Sequence, residues 1–207
     1  MNKSAKFWDK IAHKYAKRPV SNQEAYEKKL EKSREYMSSE SSVLELGCGT
    51  GSTALAHAPF VKQILATDIS AGMLEIAESK LRNSEISNLL FEQGSIESLD
   101  FPSATFDVIM AHSLLHLVED KELAMEKIHT WLKPNGIFIS STACLGDFMA
   151  VFKMIAPVGK FLRLIPLVKV FTADQLKESM NQIGFEIQHE WKPAKNEAVF
   201  IVARKAE

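Results

Sequence analysis

Short apolar runs without alternating polar residues recur along the middle of the chain. They suit strands that are buried on both faces of a sheet. Helical patterns separate them, with apolar residues recurring every three or four positions. Strands and helices that alternate in this way predict a parallel sheet with right-handed crossovers. The runs lie at residues 43–46, 64–67, 89–91, 106–111 and 136–140.

The two ends of the chain carry patterns of their own. Phe7, Ile11 and Tyr15 predict an amphipathic amino-terminal helix, and the capping box at residues 21–24 predicts a second helix. Near the carboxyl end, Thr172 is a predicted N-cap, and the helix it begins is followed by an alternating stretch and a last apolar run. These last two segments indicate an antiparallel hairpin at the end of the sheet.

Together the patterns predict an α/β fold of the Rossmann-like, doubly wound kind. The sheet is expected to be mostly parallel with a C-terminal antiparallel hairpin strand, with helices on both faces and N-terminal cap helices. A length of 207 residues suits one hydrophobic core, so we expect a single domain.

The bulk composition is that of an ordinary globular protein and narrows the possible partners. Of the residues, 46% are hydrophobic and 25% are charged, and the formal net charge is -1. Without a strongly basic stretch, we expect no nucleic-acid partner. Cys48 and Cys144 have no metal-ligand or disulfide spacing, so we expect no metal site and a cytoplasmic location. The sequence has neither an apolar window of membrane-spanning length nor the apolar core of a signal peptide.

A glycine loop after the first apolar run carries the strongest functional signal. Gly47, Gly49 and Gly51 alternate behind the predicted strand, and a helix is expected after them. Such a loop presents backbone N–H groups at the carboxyl edge of a parallel sheet, where α/β folds bind nucleotides. The dinucleotide pattern GxGxxG would require a third glycine at position 52, which is Ser52. The loop by itself therefore indicates a nucleotide-like ligand.

Two carboxylates near the loop bear on the choice of ligand. Glu45 would repel a pyrophosphate and attract a ligand with an ammonium and a sulfonium group, which describes S-adenosylmethionine. Asp68 ends the second predicted strand, where a carboxylate can accept hydrogen bonds from ribose hydroxyls. Asp68 fits NAD equally well, so a nicotinamide dehydrogenase stays an alternative.

Seven short motifs follow one another along roughly residues 7–142. They are Phe7-Trp8-Asp9, Glu45-Leu46-Gly47-Cys48-Gly49-Thr50-Gly51, Asp68-Ile69-Ser70, Gly94-Ser95-Ile96-Glu97, Phe106-Asp107-Val108-Ile109, Leu114-Leu115-His116 and Leu132-Lys133-Pro134-Asn135-Gly136. In this order they resemble the motifs of class I S-adenosylmethionine-dependent methyltransferases, in particular the small-molecule, ubiquinone/menaquinone-biosynthesis-like (type 11) branch. The resemblance implies S-adenosyl-L-methionine as cofactor and S-adenosyl-L-homocysteine as product.

The resemblance also implies roles for particular residues. The backbone around Gly47 and Gly49 would face the methionine moiety, with Glu45 at its ammonium group. Asp68 would bind the ribose. Ile69 and Met73 would line the adenine, with Ser95 and the N–H of Ile96 at its edge. The full set expected at the cofactor is Tyr15, Glu45, Gly47, Cys48, Gly49, Gly51, Asp68, Ile69, Met73, Ser95, Ile96, Ala111 and His112.

His112 is the one candidate catalytic residue. It ends the fourth predicted strand, and a neutral imidazole there could take a proton from an acceptor. Methyl transfer from a sulfonium relies mainly on positioning, so an indispensable base is not required. Tyr15 belongs to an apolar stripe, so packing is as good an explanation for it as a hydrogen bond to the cofactor. Glu45 could likewise have some other partner.

The implied domain has four parts, and one of them concerns the methyl acceptor. Residues 1–40 form the cap helices, 41–142 the cofactor-binding core, 145–171 an apolar insertion, and 172–207 the C-terminal helix and hairpin. In this fold the insertion stands over the carboxyl edge of the sheet, so we expect it to roof an apolar acceptor pocket. It also carries more basic than acidic residues, which leaves a peripheral membrane contact open beside plain packing.

The sequence thus predicts a methyltransferase that acts on oxygen or carbon of a small, largely apolar acceptor. Three alternatives stay open: a quinone-pathway C-methyltransferase, a non-catalytic module that binds S-adenosylmethionine or S-adenosylhomocysteine, and an NAD(P)-dependent dehydrogenase. The oligomeric state is not predicted.

Overall fold

The computed structural model describes residues 3–147, 167–194 and 196–206. In these residues the strands, in chain order, are β1 (Ser42–Leu46), β2 (Gln63–Asp68), β3 (Leu89–Gln93), β4 (Phe106–His112), β5 (Leu132–Thr142), β6 (Phe185–Trp191) and β7 (Val199–Lys205). The α-helices are α1 (Lys3–Ala16), α2 (Gln23–Arg34), α3 (Ser52–His57), α4 (Ala71–Arg82), α5 (Lys121–Trp131) and α6 (Ala173–Ile183). Single 3-10 turns lie at Ala58–Phe60 and Leu145–Asp147.

The strands form one sheet in the order β3-β2-β1-β4-β5-β7-β6. The strands from β1 to β5 pair in parallel, and β7 runs antiparallel between β5 and β6. The chain order reverses between β1 and β4, which is where an open α/β sheet forms a crevice at its carboxyl edge. The predicted doubly wound sheet with a C-terminal antiparallel hairpin is therefore confirmed.

Alternate residues of each central strand enter two separate apolar layers. In β4, Ile109 packs with α5 and α6 on one face, while Met110 packs with α3 and α4 on the other. Both side chains are fully buried. Burial on both faces explains why the central strands read as continuous apolar runs rather than as alternating patterns.

The start of α2 differs from the prediction. The capping box predicted at residues 21–24 does not form, because Asn22 is the N-cap and accepts a hydrogen bond from Ala25 N at 3.0 Å. Asn and Ser are equally good N-caps, so the choice depends on contacts the sequence does not display. Here the Asn22 amide also donates to Glu197 Oε1 at 2.9 Å, which is a contact from the far end of the chain.

The start of α6 matches its prediction, with Thr172 as the N-cap. Thr172 accepts from Gln175 N and the Gln175 side chain accepts from Thr172 N, which completes a capping box. Gly184 ends the helix with a φ of 101°, in the left-handed region that favours glycine.

The insertion predicted at residues 145–171 falls largely on residues 148–166, which lie outside the described residues. Its two ends are described: Gly146 N donates to Phe171 O at 2.9 Å, and Lys169 N donates to His116 O at 2.8 Å. Among the helices that the structure describes, none is long and apolar enough to cross a membrane.

Candidate active site

The glycine loop joins the end of β1 to α3 with three residues in the left-handed region. Gly47, Gly49 and Gly51 have φ values of 67°, 54° and 73°. A Cβ on Gly51 would lie 2.6 Å from Phe91 and 2.9 Å from Ala77, so this glycine permits close packing against β3 and α4. A Cβ on Gly49 would meet no atom of the described residues within 4 Å. The backbone at Gly49 therefore borders open space, in which a ligand can approach it.

Asp68 ties the glycine loop to the end of β2. Its two carboxylate oxygens accept hydrogen bonds from Gly49 N at 2.8 Å and from Ser70 N at 2.9 Å. Burial raises the pKa of this carboxyl, although the backbone hydrogen bonds act in the opposite direction. Because each carboxylate oxygen has more than one lone pair, Asp68 can accept further hydrogen bonds from a ligand.

Glu45 lies beneath the loop, and its side chain is only 2% exposed. It accepts a hydrogen bond from Ala54 N in the first turn of α3, while Oε2 has no hydrogen-bond partner among the described residues. Burial and the neighbouring charge of Asp68 raise the pKa of Glu45 to about 8. An incompletely paired buried carboxyl is costly, and a cation placed beside it would relieve that cost. This local electrostatic environment suits a positively charged ligand group.

Lys80 holds the loop from the side of α4. Its ammonium donates to Thr50 O, Thr50 Oγ1 and Ser52 Oγ, each at 2.9 Å. Sequence reasoning missed this residue, although Lys80 continues the helical row of Met73 and Ala77, which are both buried. A lysine within an apolar row is a signal that its ammonium has acceptors nearby.

The cap helix α1 docks on the amino end of α4. Asp9 Oδ1 accepts from Ser70 Oγ at 2.6 Å and from Gly72 N at 3.0 Å, and these bonds lower the pKa of Asp9. Ser70 in turn caps α4 by accepting from Met73 N. Tyr15 is 43% exposed and packs edge-on against Trp8, so its packing contact is visible while its predicted contact with a cofactor remains a prediction.

A second tyrosine contacts the helix that follows the glycine loop. Tyr26 of α2 places its hydroxyl 3.4 Å from Thr53 Oγ1. Burial raises the pKa of Tyr26, and the charge of Glu45 adds a smaller contribution in the same direction. Tyr26 was not among the residues predicted at the cofactor, because the pairing of α2 with α3 is not visible in either helix alone.

The residues predicted around the adenine differ in accessibility. Met73 and Ile96 are buried, and Ile96 packs in the core beside α5, so its backbone rather than its side chain can reach a ligand. Ile69 and Ser95 are partly exposed, and Ser95 Oγ donates to Ser98 Oγ at 3.3 Å. Cys48 is buried, and burial raises the pKa of its thiol.

His112 ends β4 beside the fully buried Ala111. Burial, together with His57 and Lys29, lowers the pKa of His112 to about 3. The imidazole is therefore neutral near pH 7 and is a weak base. Its catalytic role remains a prediction. Among the residues that the structure describes, no group of three His, Cys, Asp or Glu could hold a metal ion.

Comparison with known proteins agrees with this geometry. A methyltransferase-domain family model matches residues 37–197. The uncharacterized methyltransferase YcgJ of Bacillus subtilis is 36% identical over 97 residues, which cover 47% of this chain and 38% of the relative. The crystal structure of YcgJ superimposes with a TM-score of 0.72 at 19% identity, over 87% of this chain and 99% of that one.

Two further relatives act on different atoms, according to their names. A malonyl-[acyl-carrier protein] O-methyltransferase of Halalkalibacterium halodurans is 36% identical over 117 residues, 54% of this chain and 42% of the relative. The ubiquinone/menaquinone biosynthesis C-methyltransferase UbiE of Haemophilus ducreyi is 35% identical over 98 residues, 45% of this chain and 38% of the relative. The matched part thus spans about two fifths of each curated relative. The family model, by contrast, covers most of the length of this chain. The chain therefore belongs to the methyltransferase-domain family, within the class I S-adenosylmethionine-dependent methyltransferases.

Proposed function

We propose that the protein is an S-adenosylmethionine-dependent methyltransferase that acts on oxygen or carbon of a small, largely apolar acceptor. The observation that carries the proposal is the buried Glu45 carboxyl with an unpartnered oxygen, next to open space at Gly49. A ligand with an ammonium group fits this pair because its positive charge favours the ionised form of Glu45, whereas the pyrophosphate of a nicotinamide cofactor would be repelled by that form. S-adenosylmethionine supplies an activated methyl group on its sulfonium.

Each element at the site then has a task in holding the cofactor. The backbone at Gly47 and Gly49 faces the methionine moiety, with Glu45 at its ammonium group. Asp68 accepts hydrogen bonds from the ribose while it keeps the loop in place through Gly49 N. Ile69 and Met73 line the adenine.

The residues at the end of β4 complete the proposed site on the side of the acceptor. Ala111 and His112 lie at the switch point of the sheet, beside the loop. A neutral His112 can orient an acceptor by hydrogen bonding, while positioning and exclusion of water account for most of the rate. The two relatives named above are an O-methyltransferase and a C-methyltransferase, so the proposal includes both oxygen and carbon as the atom that receives the methyl group.

The proposed function is tested by measuring turnover of S-adenosylmethionine. The purified protein would be incubated with S-adenosylmethionine and a panel of quinols, phenols and carboxylic acids, and S-adenosylhomocysteine would be measured by mass spectrometry. We expect acceptor-dependent formation of S-adenosylhomocysteine, and none with Asp68→Ala. Tight binding of S-adenosylhomocysteine without turnover on any acceptor would favour the non-catalytic binding module. Binding of NADH instead would favour the dehydrogenase.

A further inference from the structure

Four polar residues form a cluster beside the glycine loop, which we call the α2-face cluster: Lys29, His57, His112 and Ser141. His112 of β4 and Ser141 of β5 are register partners, so their side chains lie on the same face of the sheet. Lys29 of α2 covers this face and donates to Ser141 Oγ at 3.0 Å. The cluster therefore joins α2 to the carboxyl ends of β4 and β5.

His57 adds an unusual feature to the α2-face cluster. Its side chain is fully buried in α3, and both ring nitrogens lack a hydrogen-bond partner among the described residues. It lies near enough to His112 for its charge to lower the pKa of that residue. Burial, followed by the charge of Arg34, lowers the pKa of His57 to about 4, so both imidazoles are neutral near pH 7.

The ammonium of Lys29 carries the formal positive charge of the cluster, and nearby negative charge compensates it only in part. Burial lowers the pKa of Lys29, and Glu197 is the carboxylate whose charge opposes that shift. Glu197 Oε1 accepts from Asn22, and none of the ion pairs in the described part of the chain includes Lys29. A partly desolvated ammonium of this kind binds an anionic oxygen strongly.

The α2-face cluster lies on the side of the site proposed for the acceptor, across β4 from the glycine loop. Glu45 of β1 pairs with Met110 of β4, two residues before His112, and both point toward the face covered by α2 and α3. The carboxyls of Glu45 and Asp68 thus lie on the side of the glycine loop. The positive charge of Lys29 lies across β4, above β5.

We propose that Lys29 and Ser141 bind a carboxylate group of the methyl acceptor. The inference rests on the proposed function and specifies the class of its substrate. One ammonium, one hydroxyl and two neutral imidazoles match a single negative charge, whereas a phosphate dianion would call for further cations. Glu197, the carboxylate whose charge acts on Lys29, opposes any surplus of negative charge.

The experiment compares acids with their amides on the protein saturated with S-adenosylhomocysteine. Octanoate against octanamide, and benzoate against benzamide, would be titrated by calorimetry. We expect at least one acid to bind about tenfold more tightly than its amide, since one charge-assisted hydrogen bond has that effect. Lys29→Met is expected to abolish the preference, Lys29→Arg to keep most of it, and Ser141→Ala to reduce it.

The control is Lys32→Met on the same helix. Lys32 pairs with Glu35 at the surface, so this substitution is expected to leave the preference for acid over amide unchanged. Circular dichroism establishes that each variant is folded. Should Lys29→Met not fold, Ser141→Ala carries the test. Equal or undetectable binding of acid and amide in both pairs, or an unchanged preference in the folded variants, overturns the inference. Failure of S-adenosylhomocysteine itself to bind would instead overturn the proposed function.

Discussion

Gly49 and Gly51 both have positive φ values, yet their surroundings differ. The backbone of Gly49 borders open space and donates to Asp68, while Gly51 packs against Phe91 and Ala77. Glycine is therefore required at these two positions for two different reasons. One glycine keeps room for a ligand, and the other allows α4 and β3 to approach the loop.

Gly49→Ala and Gly51→Ala are expected to separate binding from stability. Both variants carry the strain of an alanine in the left-handed region, roughly 1–2 kcal/mol. Gly51→Ala adds a clash inside the core, which costs about 1–3 kcal/mol more. Calorimetric titration with S-adenosylhomocysteine should show lost binding in folded Gly49→Ala, and denaturant unfolding should show the larger loss of stability in Gly51→Ala. Normal binding by Gly49→Ala, or equal stability of the two variants, would contradict this account.

Glu45→Gln is expected to change how stability depends on pH. Burial raises the pKa of Glu45 from 4.5 to about 8, so the folded protein retains a proton that the unfolded chain releases between these values. The wild type therefore loses stability from this group as the pH rises from about 4.5 to about 8, whereas glutamine has no proton to release. Urea unfolding of both proteins across this range should show the wild type falling relative to the variant. A constant difference between them would show that Glu45 titrates normally.

At the scale of elements, the site is held by contacts between segments far apart in the chain. Glu45 of β1 bonds the first turn of α3, Lys80 of α4 bonds the loop, and Asp9 of α1 bonds the amino end of α4. Each contact satisfies backbone or hydroxyl groups at a helix end or a turn, where the chain itself leaves them unpaired. The loop therefore depends on three neighbouring elements for its shape.

Asp9→Ala is expected to release α1 from α4 without unfolding the sheet. The substitution removes the acceptor for Ser70 Oγ and Gly72 N, so amides of residues 3–16 should exchange hydrogen faster, while those of β1 and β4 keep their protection. Lys10→Ala, at an exposed neighbouring position, is the matched control. Unchanged protection of α1 in Asp9→Ala would mean that apolar contacts alone hold the helix. Because the pKa of Asp9 is lowered, its contribution is present above pH 3.8 and is lost as the pH falls through its folded value.

At the scale of the whole molecule, the sheet topology brings the site together. The carboxyl ends of β1, β2 and β4 meet at the point where strand order reverses. The apolar runs predicted these strands because burial on both faces leaves a continuous pattern in the sequence. The Gly-rich loop and Asp68 could be predicted as well, since their positions relative to the strands fix where they lie.

Contacts between distant segments were the part that the sequence could not predict. Lys29 and Ser141 are 112 positions apart, and their hydrogen bond depends on how α2 crosses the sheet. The N-cap of α2 was predicted one residue too early, and Asn22, the observed N-cap, also bonds Glu197 from the far end of the chain, a contact that the local sequence does not display. Helix periodicity identifies a buried face but does not say which element covers it.

The most direct test of the central claim is calorimetric titration of the wild-type protein with S-adenosylmethionine, S-adenosylhomocysteine and NADH in parallel. The buried carboxyl of Glu45 and the open backbone at Gly49 predict binding of the first two ligands and none of NADH. Binding of NADH alone would contradict the account, since the glycine loop would then hold a pyrophosphate despite the carboxyl beneath it.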